Sequence, residues 1–184
     1  MRYRYIVIVN YLIKEPSQDN VLELNELYLN AFPDNEGEAV SRLAIDFLIN
    51  YPEDSISIAC FDNQKIIGHI AFSQIISERP IDHKAFILAP LAVSQEFQGK
   101  GVGAKLVNEG LNYLIKNEVD TVCVYGDPNF YSRFGFETSK GKDFVPPYKL
   151  SIPNGWQAKS LSDNRLKEQF RFSCIEPLMN ENLW

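Results

Sequence analysis

Gly99, Gly101 and Gly103 alternate with Lys100 and Val102 in the stretch Gln98-Gly-Lys-Gly-Val-Gly-Ala104, a pattern able to hold an anion. Three positions lack a Cβ, so the backbone can curl until several N–H groups converge on one place. Behind the turn, Val102, Leu106, Val107, Gly110, Leu111, Leu114 and Ile115 recur at helical spacing, which predicts a helix whose positive end faces the same place. A phosphate or pyrophosphate is the guest such a turn accepts.

Spacing separates three phosphate-binding loops that share this description. Residues 99–106 approach the nucleoside-triphosphate loop G-x-x-x-x-G-K-[ST], but Ala104 replaces its second glycine and Leu106 replaces the hydroxyl that would hold Mg²⁺. Gly99-x-Gly101-x-x-Ala104 also fits the dinucleotide fingerprint, which needs an acid about twenty residues on, at the end of the next strand. Asp120 opens that strand instead. The third pattern, Gln98-x-x-Gly101-x-Gly103 just beyond an apolar strand, fits without repair.

On this motif the chain resembles the GNAT superfamily of N-acetyltransferases, whose Q/R-x-x-G-x-G/A turn cradles the pyrophosphate of acetyl-coenzyme A. A second match lies downstream, where Pro128-Asn-Phe-Tyr131-Ser-Arg-Phe-Gly135-Phe136 is similar to the superfamily's closing Tyr-x-x-x-Gly-Phe. The pair at the expected separation carries the resemblance, which covers roughly residues 20–137. It implies a cofactor turn made by Gln98, Gly99, Lys100, Gly101, Val102, Gly103 and Ala104. It also implies that the backbone of Leu91, Ala92 and Val93 receives the pantetheine arm and the acetyl carbonyl like an added strand. Arg133 then partners a coenzyme phosphate or a neighbouring carboxylate. The implied activity is direct transfer, in a ternary complex, of acetyl from acetyl-CoA to a primary amine of a small molecule or peptide. A non-catalytic coenzyme-A-binding sensor or scaffold is the competing reading.

Acetyl transfer to an amine also needs a route for the amine's proton and an acid for the departing thiolate. Tyr131 is the candidate acid: its phenol, with a pKa of about 10, is protonated at neutral pH and can donate to a thiolate whose acid is near about 8.5. Phe130, Phe134 and Phe136 surround it in sequence, so a core role competes. The base is open. Residues 85–93 contain no carboxylate, which leaves Glu78, Asp82 and His83 on the preceding connection, or a water chain. His69 lies inside a strand pattern and reads as structural. No His/Cys/Asp cluster has metal-ligand spacing and no cysteine stands beside a histidine, so no metal and no covalent acyl-enzyme are expected.

The elements that must position these residues follow from periodicity. Val21, Leu22, Leu24, Leu27, Tyr28 and Ala31 trace one helix, and Ala39, Val40, Leu43, Ala44, Phe47 and Leu48 trace a second that stops at Tyr51-Pro52. In the resembled family such a pair borders the acceptor site. Residues 55–61 and 65–73 flank Asp62-Asn-Gln64 as a hairpin, and a long connection, 74–83, leads to a strand at 84–93. Pro90 within that strand marks a bulge or a splayed edge, because proline cannot donate to a ladder. Residues 120–125 make the next strand, parallel to the last through the glycine-led helix. A strand beginning at Phe136 and an alternating run at 170–175 complete a mixed, mainly antiparallel sheet of about seven strands with helices on both faces, an α+β (loosely α/β) architecture.

A chain of 184 residues suits one domain, here a core over 1–137 with a C-terminal extension over 138–184. The formal charge of -6 argues against a nucleic-acid partner bound by a broad basic face, and no apolar run approaches the ~20 residues of a membrane helix. Arg2 and Arg4 precede an apolar run at 5–9 that Asn10 interrupts, which reads as a first strand and not a leader. Cys60, Cys123 and Cys174, an odd number with no C-x-x-C, read as buried free thiols in a reducing cytoplasm. A homodimer is compatible with all of this.

Overall fold

The computed structural model describes residues 11–51, 53–78, 81–166 and 168–184; the strand expected at 5–9 lies outside them. Asn63 and Gln64 both take positive φ (47° and 75°), the two-residue turn whose twist matches antiparallel strands, and Asp62 therefore pairs with Lys65. This turn joins β2 (Ser55–Asp62) to β3 (Lys65–Gln74). With β1 (Leu12–Lys14), β5 (Ala85–Val93), β6 (Thr121–Tyr125) and β8 (Trp156–Ser160), they form a six-stranded sheet in the order β1-β2-β3-β5-β6-β8. The β5–β6 pair is parallel, and the others are antiparallel.

Side chains alternate across this sheet and give it two apolar faces. Ile58, Cys60, Ile70, Phe72, Phe86, Leu88, Val122 and Val124 point to one side, where they pack with Val102, Leu106, Val107, Leu111 and Leu114 of α3 (Val102–Lys116). Their neighbours Ala59 and Phe61 face α1 (Val21–Ala31), while Ala71, Ala85, Ile87 and Cys123 join Leu43 and Phe47 of α2 (Asp34–Ile49). Each fully buried Leu or Phe in these layers stabilises the fold by roughly 1.5–3 kcal/mol. The helix pair, the hairpin, the parallel crossover and the two helical faces all match the periodicities in the sequence.

The number and placement of strands beyond the crossover do not. Nine strands are present among the described residues, against about seven expected. No strand starts at Phe136: Glu137 makes a single bridge to Ala158, and the chain turns at once into the short helix α5 (Thr138–Gly141). The connection 74–83 contributes β4 (Ile76–Ser77), which pairs with β9 (Phe170–Ser173), and β9 in turn pairs in parallel with β7 (Phe144–Val145). Burial explains this second sheet. Phe144, Trp156, Phe170, Phe172 and Trp184 form one aromatic cluster with Ala85, Ile87 and Cys123 beneath it, so the C-terminal residues cover an apolar sheet face that α1 and α2 leave open. Cys60, Cys123 and Cys174 are buried free thiols.

α3 lies very close to the sheet at Gly110. A Cβ there would collide with the edge of the Phe72 ring. Helix propensity alone predicts that Gly110→Ala gains about 1 kcal/mol, whereas overpacking costs about 1–3 kcal/mol or more. We expect the clash to win and the variant to lose about 2 kcal/mol; a denaturant midpoint at or above that of the parent would contradict this packing.

Candidate active site

The parallel ladder between β5 and β6 runs only from Ala85↔Thr121 to Leu88↔Val124, although β5 continues to Val93. The register of β5 against β3 slips between Phe72↔Leu88 and Ile70↔Leu91, so the strand bulges at Ala89 and Pro90 as the proline implies. Beyond the bulge, Leu91, Ala92 and Val93 pair with Ile70, His69 and Gly68 on one side and face a gap on the other. The gap is bounded by Tyr125 and Gly126 at the end of β6.

The glycine turn follows directly. Gly99 and Gly101 adopt left-handed φ of 72° and 85°, and a Cβ at either would meet nothing within 4 Å, so the turn opens onto free space. Gly101 caps the 15-residue α3 without a side-chain acceptor, and the N–H groups of Gly99, Gly101, Val102, Gly103 and Ala104 find no partner among the described residues. Five donors at the positive end of a long helix fit a pyrophosphate. The side chains around the turn have distinct tasks. Gln98 donates its amide to the Val93 carbonyl at 3.1 Å and so ties the turn to the end of β5. Lys100 is exposed, with its ammonium 5.0 Å from the Phe97 ring centroid. Val102 is 1% exposed and packs in the core, so only its backbone is available to a ligand. Gly103 makes room for Phe130, which a Cβ would meet at 3.4 Å.

Phe130 belongs to α4 (Pro128–Tyr131), which Asp127 caps by accepting from the Asn129 N–H at 2.9 Å, with Pro128 in its first turn. Tyr131 ends this helix with its ring edge-on to Phe130 and Phe136, at 4.9 and 5.7 Å. Its ring also fills the space beside Gly126, where a Cβ would lie 2.5 Å from it. The residue is 8% exposed, and its hydroxyl has no hydrogen-bond partner among the described residues. Burial pushes this phenol above its ordinary pKa. Arg133 donates through Nε to the Phe130 carbonyl at 3.2 Å and lies over the Phe130 and Phe134 rings, at 4.7 and 5.6 Å. It has no carboxylate partner among the described residues.

The structure therefore brings together the 98–104 turn, residues 91–93 and Tyr131. It separates them from the side chains considered as base. His83 donates to or accepts from Thr121 at 3.0 Å, and its other ring nitrogen lies 3.9 Å from Asp120, all at the start of β6 and so at the opposite end from Tyr125. Burial lowers the His83 pKa. The Asp82 carbonyl accepts from Asn164 in the same region, and Glu78 is exposed just after β4. A polar cavity of about 550 Å³ opens there, lined by His83, Thr121 and Asn164 among others, remote from the glycine turn.

A family model described as the acetyltransferase (GNAT) family matches residues 21–136. The chain belongs to the GNAT acetyltransferase family. This acetyltransferase is 30% identical over 160 residues to the uncharacterised N-acetyltransferase YjhQ of Escherichia coli K12, covering 84% of this chain and 87% of that one. It is 38% identical over 109 residues to the uncharacterised N-acetyltransferase YhbS of the same strain, covering 59% and 64%. The crystal structure of E. coli YhbS in complex with CoA superposes with a TM-score of 0.80 at 25% identity, covering 96% of both chains. A GNAT acetyltransferase from Brucella melitensis in complex with acetyl-CoA shares the fold, with a TM-score of 0.69 at 21% identity.

His69 reads from sequence as structural and Tyr28 as one position of a helix stripe; the structure pairs the two side chains. Tyr28 on α1 and His69 on β3 are both 0% exposed and hydrogen-bonded to each other at 2.8 Å. The signal was a histidine in the middle of the apolar strand Lys-Ile-Ile-Gly-His-Ile-Ala-Phe.

Proposed function

We propose that this acetyltransferase moves an acetyl group from acetyl-CoA to a primary amine of a small molecule or peptide, by direct transfer within a ternary complex. The observation that carries the reading is the coincidence of an open, donor-rich glycine turn with a parted strand and an unpartnered tyrosine hydroxyl beside the same gap. The bound donor supplies a thioester whose acyl carbon is open to attack. The free N–H groups of Gly99, Gly101, Val102, Gly103 and Ala104 hold its pyrophosphate, and Lys100 adds a positive charge at the rim. Gln98 keeps the turn against β5. Backbone groups of Leu91, Ala92 and Val93 that face the gap hold the pantetheine arm and acetyl carbonyl by strand addition, which fixes the reacting carbon without any side chain. Tyr131 protonates the departing thiolate. Arg133, stacked on Phe130 and Phe134, is at hand for a coenzyme phosphate and braces α4.

Residues 1–184 act as one domain in this reading, because β8 extends the main sheet and the C-terminal aromatics seal its second face. The buried thiols suit the reducing cytoplasm. Among the described residues no helix is long and apolar enough to cross a membrane. The acidic chain favours a cationic acceptor.

The test is thiol release from acetyl-CoA against a panel of polyamines, aminosugars and lysine-bearing peptides. Turnover of at least one primary amine is expected, together with a rise in Tm on adding acetyl-CoA and none of comparable size with NAD. Tight acetyl-CoA binding with no turnover of any panel amine would favour a coenzyme-A sensor.

A further inference from the structure

The gap between β5 and β6 has two faces, and the groups that suit the cofactor stand on one of them. Val122 and Val124 point toward α3, into the cluster that also holds Tyr131, with Leu91 and Val93 packed against it. Cys123 and Tyr125 therefore point the other way. Cys123 lies in the cluster that covers the second face, and Tyr125 and Ala89 pack against that cluster. The parallel ladder stops at Leu88↔Val124, so Tyr125 is the first residue of β6 beyond it and stands at the edge of the gap, on the face opposite α3.

Residues 151–155 of the C-terminal segment are bound to this tyrosine and its neighbour. Gly126 donates its N–H to the Gly155 carbonyl at 3.0 Å, and Gly155 lies so near the Tyr125 ring that a Cβ would meet it at 3.0 and 3.2 Å. The Ile152 N–H donates to the Tyr125 hydroxyl at 2.7 Å, and that hydroxyl shares a hydrogen bond of 2.8 Å with the Ser151 hydroxyl. A backbone N–H can only donate, so the phenol oxygen accepts it. The two hydroxyls then carry two protons and share one bond, which leaves one proton over whichever way that bond runs. A phenol is the stronger donor and the weaker acceptor of the pair, so Tyr125 donates to Ser151 and the proton left over is that of Ser151. Ser151 is exposed, and its hydroxyl makes no other hydrogen bond among the described residues. Accepting from the phenol polarises it into a better donor.

We propose that Ser151 selects the acceptor: its hydroxyl donates to an oxygen of the incoming amine, so primary amines that carry a hydroxyl, ether or carbonyl oxygen, such as aminosugars and peptides, are preferred over polyamines. The proposal rests on the acetyl-transfer reading and narrows its substrate class. The glycine turn, Phe130 and Tyr131 belong to the α3 side of the gap, so the amine reaches the acetyl carbon from the other side, past Tyr125 and Ser151. In a polyamine every protonated nitrogen is a donor, and the Ser151 proton finds no acceptor there. Tyr125 belongs to the family core, whereas Ser151 lies beyond the residues 21–136 that the family model matches. The extension thus supplies the selecting group and the core holds it in place.

The amine panel tests this on the intact protein. The fastest amine is expected to be an aminosugar or a peptide; a polyamine as the fastest would overturn the selection. Ser151→Ala is expected to raise the KM for that aminosugar or peptide about 3- to 10-fold, the loss of one hydrogen bond at an exposed site. Meanwhile kcat, the KM for acetyl-CoA and the affinity for the best polyamine, read as substrate or as competitive inhibitor, are expected to stay at parent values. Ser151→Thr, which keeps the hydroxyl, is expected to match the parent. Because Ser151 is exposed, the alanine variant is expected to keep the parent's Tm. If residues 151–155 only brace β6, Ser151→Ala will shift the KM of every amine alike or of none, and either result would refute the assignment while leaving acetyl transfer intact. A parent protein that turns over no panel amine would defeat the acetyl-transfer reading itself and this selection with it.

Discussion

Gly101→Val is expected to abolish the acetyl-CoA-induced rise in Tm and to weaken acetyl-CoA binding by roughly 100-fold or more. At a φ of 85°, Gly101 occupies a region that a β-branched residue enters only at a strain of about 1–2 kcal/mol. Relieving the strain turns the peptide and withdraws the convergent N–H groups of Gly101 and Val102. A hydrogen bond to a charged group contributes about 1.5–3 kcal/mol, so losing two of them suffices for a loss of that size. The side chain also enters the open space before the turn, where an anion would sit. A Cβ at this position meets nothing within 4 Å, so the unliganded variant still folds and its own Tm falls only modestly. Calorimetric titration checks the outcome: acetyl-CoA affinity equal to that of the parent would show that the turn is not the cofactor site.

Tyr131→Phe separates chemistry from packing. The ring contributes edge-on contacts to Phe130 and Phe136, and phenylalanine keeps all of them. The hydroxyl has no hydrogen-bond partner among the described residues, so its removal forfeits no intramolecular hydrogen bond and stability is expected to remain within about 1 kcal/mol of the parent's. If the phenol is the acid, kcat nevertheless falls by about 10²-fold with the acetyl-CoA dissociation constant unchanged. Because burial raises the phenol's pKa above its ordinary value of about 10, Tyr131 is protonated across the neutral range, and the deficit should be constant from pH 6 to 9. Single-turnover kinetics on the best panel amine decide the matter. Parent-like turnover there would leave Tyr131 as a packing residue.

Local pattern determined a large part of this protein. The glycine spacing of Gly99, Gly101 and Gly103 predicts both a turn and the helix behind it, because left-handed φ and a 3.6-residue period are properties of a short stretch of chain. Pro90 located the bulge at which β5 leaves β6, since a missing N–H is a fact about one residue. The hairpin around Asn63 and Gln64 and the two helices over 21–31 and 34–49 were legible for the same reason.

What escaped was set by partners distant in the chain. β4 and β7 are two residues each, too short for any period, and exist because β9, separated from β4 by more than ninety residues, pairs between them. Phe136 reads as a strand start by its apolar flank, yet the buried Trp156 and Ala158 permit only one bridge before the chain turns into α5. His83 sits only two residues before the strand that lines the gap, but it precedes that strand and so lies at the far end of it, beside Thr121. His69, read as structural, acquired its Tyr28 and Ser57 partners from α1 and β2, which only the packing of helix on sheet brings within 2.8 Å. Sequence alone therefore determined where the open glycine turn lies and which helix follows it, because those depend on backbone freedom over a few residues. Tertiary structure alone decided which titratable groups stand near that site, because the position of a side chain in space depends on strand order and register, which no short stretch of the chain encodes.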